Sequence, residues 1–179
     1  SGGGLMPIPV PQGQDAQTPL PGFAFHVHFA ADGGGAFPPF ADLDTTLTGG
    51  FSEISGLEAS MEAKALKVGG RNHGAIQLPG PVSFATVVLK RGLVESRHLW
   101  RWWALFTGAD GAPNGDWRAV NRCTVTIAML RGREAVLGWK LLRALPIKFR
   151  AGDLSARATD VAIEELHLAH EGLRMEPMA

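Results

Sequence analysis

The chain has 179 residues, 45% hydrophobic and 19% charged, so it carries enough apolar matter for a packed core and is not disordered as a whole. Seventeen Lys and Arg balance seventeen Asp and Glu. A net charge of zero gives no long-range pull toward nucleic acid or an anionic membrane, and little repulsion between copies. Cys123 is the single cysteine, which excludes an internal disulfide and a cysteine-based metal cluster. No run nears the roughly 18 apolar residues of a helical membrane span. Ser1-Gly2-Gly3-Gly4 lacks the basic-then-apolar pattern of a secretory signal, so synthesis and assembly are expected in the cytoplasm.

In chain order, residues 1–22 hold Pro7, Pro9, Pro11, Pro19 and Pro21 and read as an extended arm, since proline fits neither a helix interior nor a central strand. We set the arm at 1–19 and one domain at 20–179. From Phe23, phenylalanines and Val27 alternate with Ala24, His26 and His28, the period of a half-buried strand. A loop is expected from Asp32 to about Gly50. Leu57, Ala59, Met61 and Ala63 then alternate with Glu58, Ser60, Glu62 and Lys64, with a break in phase at Ala65-Leu66. Gly69, Gly70, Arg71, Asn72, His73 and Gly74 are turn chemistry. After Pro79-Gly80-Pro81, the run 82–90 reads as one strand apolar on both faces.

Leu99, Trp102, Trp103 and Phe106 fall at helical spacing, with Ser96 as the expected N-cap and Gly108 as the stop. Cys123, Val125, Ile127 and Met129 alternate with polar residues, and Arg131-Gly132-Arg133-Glu134 turns the chain back into 135–145, predicting a β-hairpin. Pro146 is expected to end or bend that strand, and 150–153 to loop. The segment 161–170 fits a strand or a short helix. Six or so strands around one aromatic helix, without βαβ alternation, predict a mainly β fold with many strand edges left to pair.

No candidate catalytic or metal site gathers weight. His26 and His28 share one strand face, a spacing zinc sites use, but no third ligand is tied to them. His167 and His170 with Glu164 and Glu165 suit a metal site on a helix and fall on opposite faces of a strand. Cys123 sits on an apolar face, where a thiol acts as a small hydrophobe. The glycines near Arg71 match no phosphate-binding motif. The tryptophans at 100, 102 and 103 lack the surrounding basic residues of a nucleic-acid groove. No catalytic residue, metal or cofactor is therefore expected. A metal-dependent enzyme using His26 and His28 is the weaker alternative.

Several segments together resemble a known family: Gly22-Phe23-x-Phe25-x-Val27, Gly50-Phe51-Ser52-Glu53-Ile54-Ser55-Gly56-Leu57-Glu58, Gly69-Gly70-x-Asn72, Leu78-Pro79-Gly80, Val88-Leu89-Lys90-Arg91-Gly92 and Leu99-Trp100-x-Trp102. Further on stand Trp139-x-Leu141-x-x-Ala144-x-Pro146-x-Lys148, Asp153-Leu154 and the run from Ala162-Ile163-Glu164 to Ala169-His170-Glu171-Gly172-Leu173. From about residue 20 to 174 the chain resembles the tail-tube proteins of contractile phages and phage-tail-like injection systems. The resemblance implies two packed antiparallel sheets in a barrel- or sandwich-like fold with one flanking helix, related to the tube proteins of type VI secretion.

It also implies a structural subunit whose hexameric rings stack into a hollow tube that sheath contraction propels to deliver cargo. Implied partners are other copies, a sheath protein, baseplate, spike and tube-cap proteins, and cargo in the lumen. No specific nucleic-acid site and no membrane insertion are implied. The implied location is a phage-tail-like particle, a virion or a released injector. A tube-initiator or baseplate paralogue of the same fold is the alternative within the family. Within this frame, Gly69, Gly70, Arg71, Asn72, His73 and Gly74 form the expected inter-ring loop, part of a longer loop at 66–80. Glu58, Ser60, Glu62 and Lys64 are the lumen-facing candidates.

Overall fold

The computed structural model describes residues 23–32, 46–70, 72–93, 97–109, 121–157 and 162–177. The Pro-rich arm expected at 1–19 and its boundary at residue 20 lie outside that set. Among the described residues the elements run β1 (Phe23–Ala31), β2 (Thr46–Ser55), β3 (Ala59–Leu66), β4 (Ile76–Phe84), β5 (Val87–Gly92), α1 (His98–Thr107), β6 (Cys123–Arg131), β7 (Glu134–Ala151), β8 (Ile163–Ala169) and β9 (Gly172–Pro177).

Seven strands make one antiparallel sheet in the order β6-β1-β2-β5-β8-β7-β9, and β6 also pairs with β7. That extra pairing curls the sheet into a barrel, which removes most of its edges. The 18-residue β7 makes closure possible. Its first part carries β6 and β9, and Leu145–Ala151 carries β8. Between the two parts Arg143 has a φ of 50°. A non-glycine residue holds that left-handed conformation only when its surroundings fix it. Here Glu171 takes the Arg143 Nε–H at 2.6 Å, Asp32 takes Nη1 at 3.3 Å, and Glu171 also takes Arg122 at 2.8 Å. Pro146 bends the ladder and does not end it: the register slips between Pro146 and Lys148 and the strand continues to Ala151.

The core follows the period of two. Val87 and Leu89, Cys123, Val125 and Ile127, and Leu166 and Leu168 are buried in phase on β5, β6 and β8. The helix adds Leu99 and Trp102, spaced to share its inner face. The Trp102 indole N–H donates to the Asn121 carbonyl at 2.9 Å, and its ring meets Phe29 edge-on at 5.5 Å. Gly108 closes the helix with φ 74°, its N–H reaching the Ala104 carbonyl, as the sequence predicts. Ser96 lies outside the described residues, and the position before the helix is Arg97, without a side-chain cap.

Some expectations change. The loop expected to run to Gly50 ends earlier, because β2 begins at Thr46. The single strand 82–90 is two strands, β4 and β5, separated at Ala85-Thr86. Segment 161–170 resolves as the strand β8, and β9 follows it.

Candidate functional site

The region that departs most from the barrel is the β3–β4 hairpin, a two-stranded arm inserted between β2 and β5. Its root is a tight elbow. Gly56 has φ 82°, and a Cβ there would lie 1.9 Å from the Thr86 carbonyl oxygen, so only glycine fits. The Glu58 N–H bonds the Gly56 carbonyl at 2.8 Å, and the Ala85 N–H bonds the Glu58 carbonyl at 3.1 Å, tying both chains of the elbow together. Phe84, the last arm residue, rests against the His170 ring at 5.2 Å. The Nδ1–H of His170 donates to the Gly172 carbonyl at 2.9 Å, so the β8–β9 turn braces the arm at its base.

Beyond the elbow the arm is exposed. Every residue of β3 is exposed, as is most of β4. Cross-strand register sets the faces: Ala59 opposes Phe84, Met61 opposes Val82 and Ala63 opposes Pro79, making an apolar face. Ser60 opposes Ser83, their hydroxyls 2.9 Å apart, and Lys64 opposes Leu78 on the other face. The slip in register lies between Met61 and Ala63, at Gly80, and not at Ala65-Leu66 as the sequence suggests. A Cβ at Gly80 would sit 2.2 Å from the Glu62 carbonyl oxygen, so the two strands meet there at backbone distance. On that apolar face Met61 is 56% exposed and Val82 55%, while the exposed Leu66 and Leu78 lie on the opposite face with Lys64. Apolar side chains grouped on an uncovered face mark a surface that meets another molecule.

The residues singled out from sequence fall on this arm. Ser60, Glu62 and Lys64 lie on its polar face, and Glu58 lies in the elbow just before β3. The alternation read from sequence is present in the register, but it does not divide a buried face from a solvated one. Gly69, Gly70, Asn72, His73 and Gly74 form the tip, with turns at 69–70 and bends at 72–73. Arg71 is outside the described residues. The loop is shorter than 66–80, since β4 starts at Ile76.

Among the described residues the histidine pairs do not converge on further ligands. His26 and His28 stand in register with Ala128 and Thr126 on β6. On β8, Glu164 points into the barrel while Glu165 and His167 share the outer face, 3.0 Å apart. The His167 contact holds the Glu165 carboxyl below the usual carboxylate range, with help from Arg150 at 3.2 Å. Burial pushes the Cys123 thiol well above its ordinary range, aided by the Asp32 charge, which keeps it protonated and inert. No group of three or more His, Cys, Asp or Glu side chains suits a metal among the described residues.

Sequence reasoning missed one buried pair. The Arg91 Nε–H donates to Glu164, the residues 3% and 4% exposed, and the guanidinium carbon lies 5.6 Å from the Phe51 ring centre. Arg91 is in phase with Val87 and Leu89, and Glu164 with Leu166 and Leu168. Opposite charges in phase with the buried face of two strands were the signal available.

A family model described as T4-like virus tail tube protein gp19 matches residues 21–174. No curated protein sequence matches the chain. Among solved structures, a chain of the sheath–tube complex of an extracellular contractile injection system, PVC, in its extended state superposes with a TM-score of 0.65 at 19% identity, covering 91% of this chain and 95% of that one. A chain of the anti-feeding prophage (AFP) baseplate, six-fold symmetrised, gives 0.64 at 25% identity, covering 89% and 97%. A type six secretion system protein gives 0.53 at 6% identity over 87% and 84%. The first and third of these show a shared fold.

Proposed function

We propose, from the premise that the chain belongs to the T4-like virus tail tube protein family, that it is the repeating subunit of the inner tube of a contractile injection machine. The observation that carries this reading is the arm. Its apolar face around Met61 and Val82 is covered by nothing among the described residues, so another copy is its natural cover. In this reading six copies close into a ring and rings stack into a hollow tube. A head-to-tail contact closes when its rotation permits and otherwise extends without limit. The tip at residues 69–74 makes the contact between rings, and Ser60, Glu62 and Lys64, with Glu58 at the elbow, face the lumen.

The work is mechanical. A contracting sheath of another protein drives the tube, tipped by a spike on a baseplate and closed by a cap, through a target envelope with cargo in its lumen. No residue of this chain performs chemistry. Assembly takes place in the cytoplasm, and the particle acts as a virion or as a released injector. Electron microscopy of the purified protein tests the reading: rings and hollow rods of even width are expected. A persistent monomer at high concentration overturns it.

The AFP baseplate chain at 25% identity favours one second reading, a tube initiator present once at the tube base. Stoichiometry in purified particles decides between them. Many hexamers per particle support the main tube, and one hexamer supports the initiator.

A further inference from the structure

Beside the elbow, the root of the arm meets the barrel through a histidine. His170 stands in the turn between β8 and β9, and Phe84, the last residue of β4, lies against its ring with 5.2 Å between centres and a tilt of 43°. The Gly172 carbonyl oxygen is 2.9 Å from Nδ1. A carbonyl only accepts, so the proton of the neutral ring sits on Nδ1 and Nε2 carries a bare lone pair. Nε2 is buried and has no hydrogen-bond partner among the described residues. The ring is thus held in one tautomer, at a place where a second proton finds nothing to bond.

The elements that meet at this junction leave that proton unmatched. Ala59 on β3, Ser83 and Phe84 on β4, Ala85-Thr86 in the elbow, Leu142 on β7 and Gly172 on β9 carry no titratable group. Glu171, the carboxylate next in the chain, is engaged on both oxygens, by Arg122 at 2.8 Å and by Arg143 at 2.6 Å. Arg143 also binds Asp32 at 3.3 Å. Glu58 in the elbow is exposed, and on β8 Glu165 is taken by His167 and Arg150. A cationic ring gains some attraction from the face of Phe84. Its new N–H, buried without an acceptor, costs more than that.

We propose that His170 is a pH-sensitive latch on the arm: the neutral ring holds Phe84 and keeps the arm set against the barrel, and protonation releases it. The charged ring turns to solvent, where water accepts from both N–H groups, and the arm then swings on the Gly56 elbow. Because the set arm goes with the unprotonated ring, the hold is complete above the ordinary histidine value of about 6.5 and fades as pH falls below it. The latch stands on the geometry of the junction alone. Its consequence for assembly rests on the tube reading: near neutral pH a subunit offers a set arm, and acid slows its incorporation.

The test measures the distance from arm to barrel in the dispersed full chain, with spin labels at Lys67→Cys and Arg133→Cys, both exposed; native Cys123 is buried. A narrow distribution is expected at neutral pH. Below about pH 6.5 the ratio of released to set arm is expected to rise about tenfold per unit, with an unchanged near-UV spectrum. In the same labelled chain His170→Asn still offers an N–H to the Gly172 carbonyl and takes no charge, so its distribution is expected to ignore pH. His170→Phe, a ring without a charge, serves if the asparagine variant does not fold. A wild-type distribution unchanged by acid overturns the latch, and so does an acid response that survives in the uncharged variants. Unlabelled chain that forms no rods at neutral pH, while the labelled arm is released in acid, keeps the latch and overturns the tube reading.

Discussion

The barrel and the arm are built from the same alternation of apolar and polar residues, yet among the described residues only one of them satisfies it. In the barrel Val87, Leu89, Leu166 and Leu168 reach a shared core and are fully buried. In the arm Ala59, Met61 and Ala63 line up just as regularly against Phe84, Val82 and Pro79, and the strand stays exposed. Periodicity says that a face is apolar; it does not say whether the covering layer belongs to the same molecule. Stability should therefore reside in the barrel and association in the arm.

The sharpest test on the barrel side is Trp102→Ala. The indole is fully buried, stacks edge-on with Phe29 and loses its bond to Asn121, so the chain should lose about 3–5 kcal/mol in denaturant unfolding. Next comes Glu164→Ala, which strands the buried Arg91 charge and should cost about 3–5 kcal/mol. Arg91→Met with Glu164→Leu removes both charges and should return most of that loss. A double variant no more stable than the single would show that the pair does more than fill matched space.

The elbow joins the two regions. Gly56→Ala forces a left-handed alanine whose Cβ meets the Thr86 carbonyl, at a strain on the order of 1–3 kcal/mol. The barrel should remain folded while the arm is re-aimed, so assembly is expected to fail before folding does. Proteolysis of the arm against retention of the near-UV spectrum separates the two.

A smaller effect is expected from pH. The folded chain holds the Glu165 carboxyl below its unfolded value through His167 and Arg150. The stabilisation is therefore present above the unfolded value of about 4.3 and fades as pH falls through the folded one. Glu165→Gln should flatten the acid side of the stability curve by less than about 1 kcal/mol, since the pair is only partly buried and solvent screens it. An unchanged acid limb would place the pH dependence elsewhere.

Much of the barrel was legible because local chemistry and burial agree there. The hairpin around Gly132, the helix stop at Gly108 and the alternation from Cys123 to Met129 each follow from residues that have few other options. β2 was hidden because Thr46-Leu47-Thr48-Gly49-Gly50 combines weak apolar content with glycine and reads as a turn; its pairing with β1 and β5 supplies what the local sequence lacks. The arm's residues were legible as a candidate site, but its full exposure was not, since exposure depends on what the remaining chain leaves uncovered. Arg91 and Glu164 were overlooked because each looks solvated alone, and only their register shows the partner.

The smallest stability effect carries the comparison furthest. Met61→Ser with Val82→Thr removes apolar surface from the centre of the arm's face while preserving strand-compatible side chains. Both residues are more than half exposed and oppose each other across the hairpin, so the monomer gives up almost no buried area. Its unfolding free energy should move by less than about 0.5 kcal/mol. If another copy covers this face, each contact loses the burial of two large side chains, on the order of 1.5–3 kcal/mol apiece, repeated at every subunit of a ring. Rods should then disappear from micrographs while the melting curve of the dispersed chain stays in place. Rods of normal length in this variant would mean that the apolar face meets solvent or lumen, and the division of labour between barrel and arm would have to be redrawn around the tip alone.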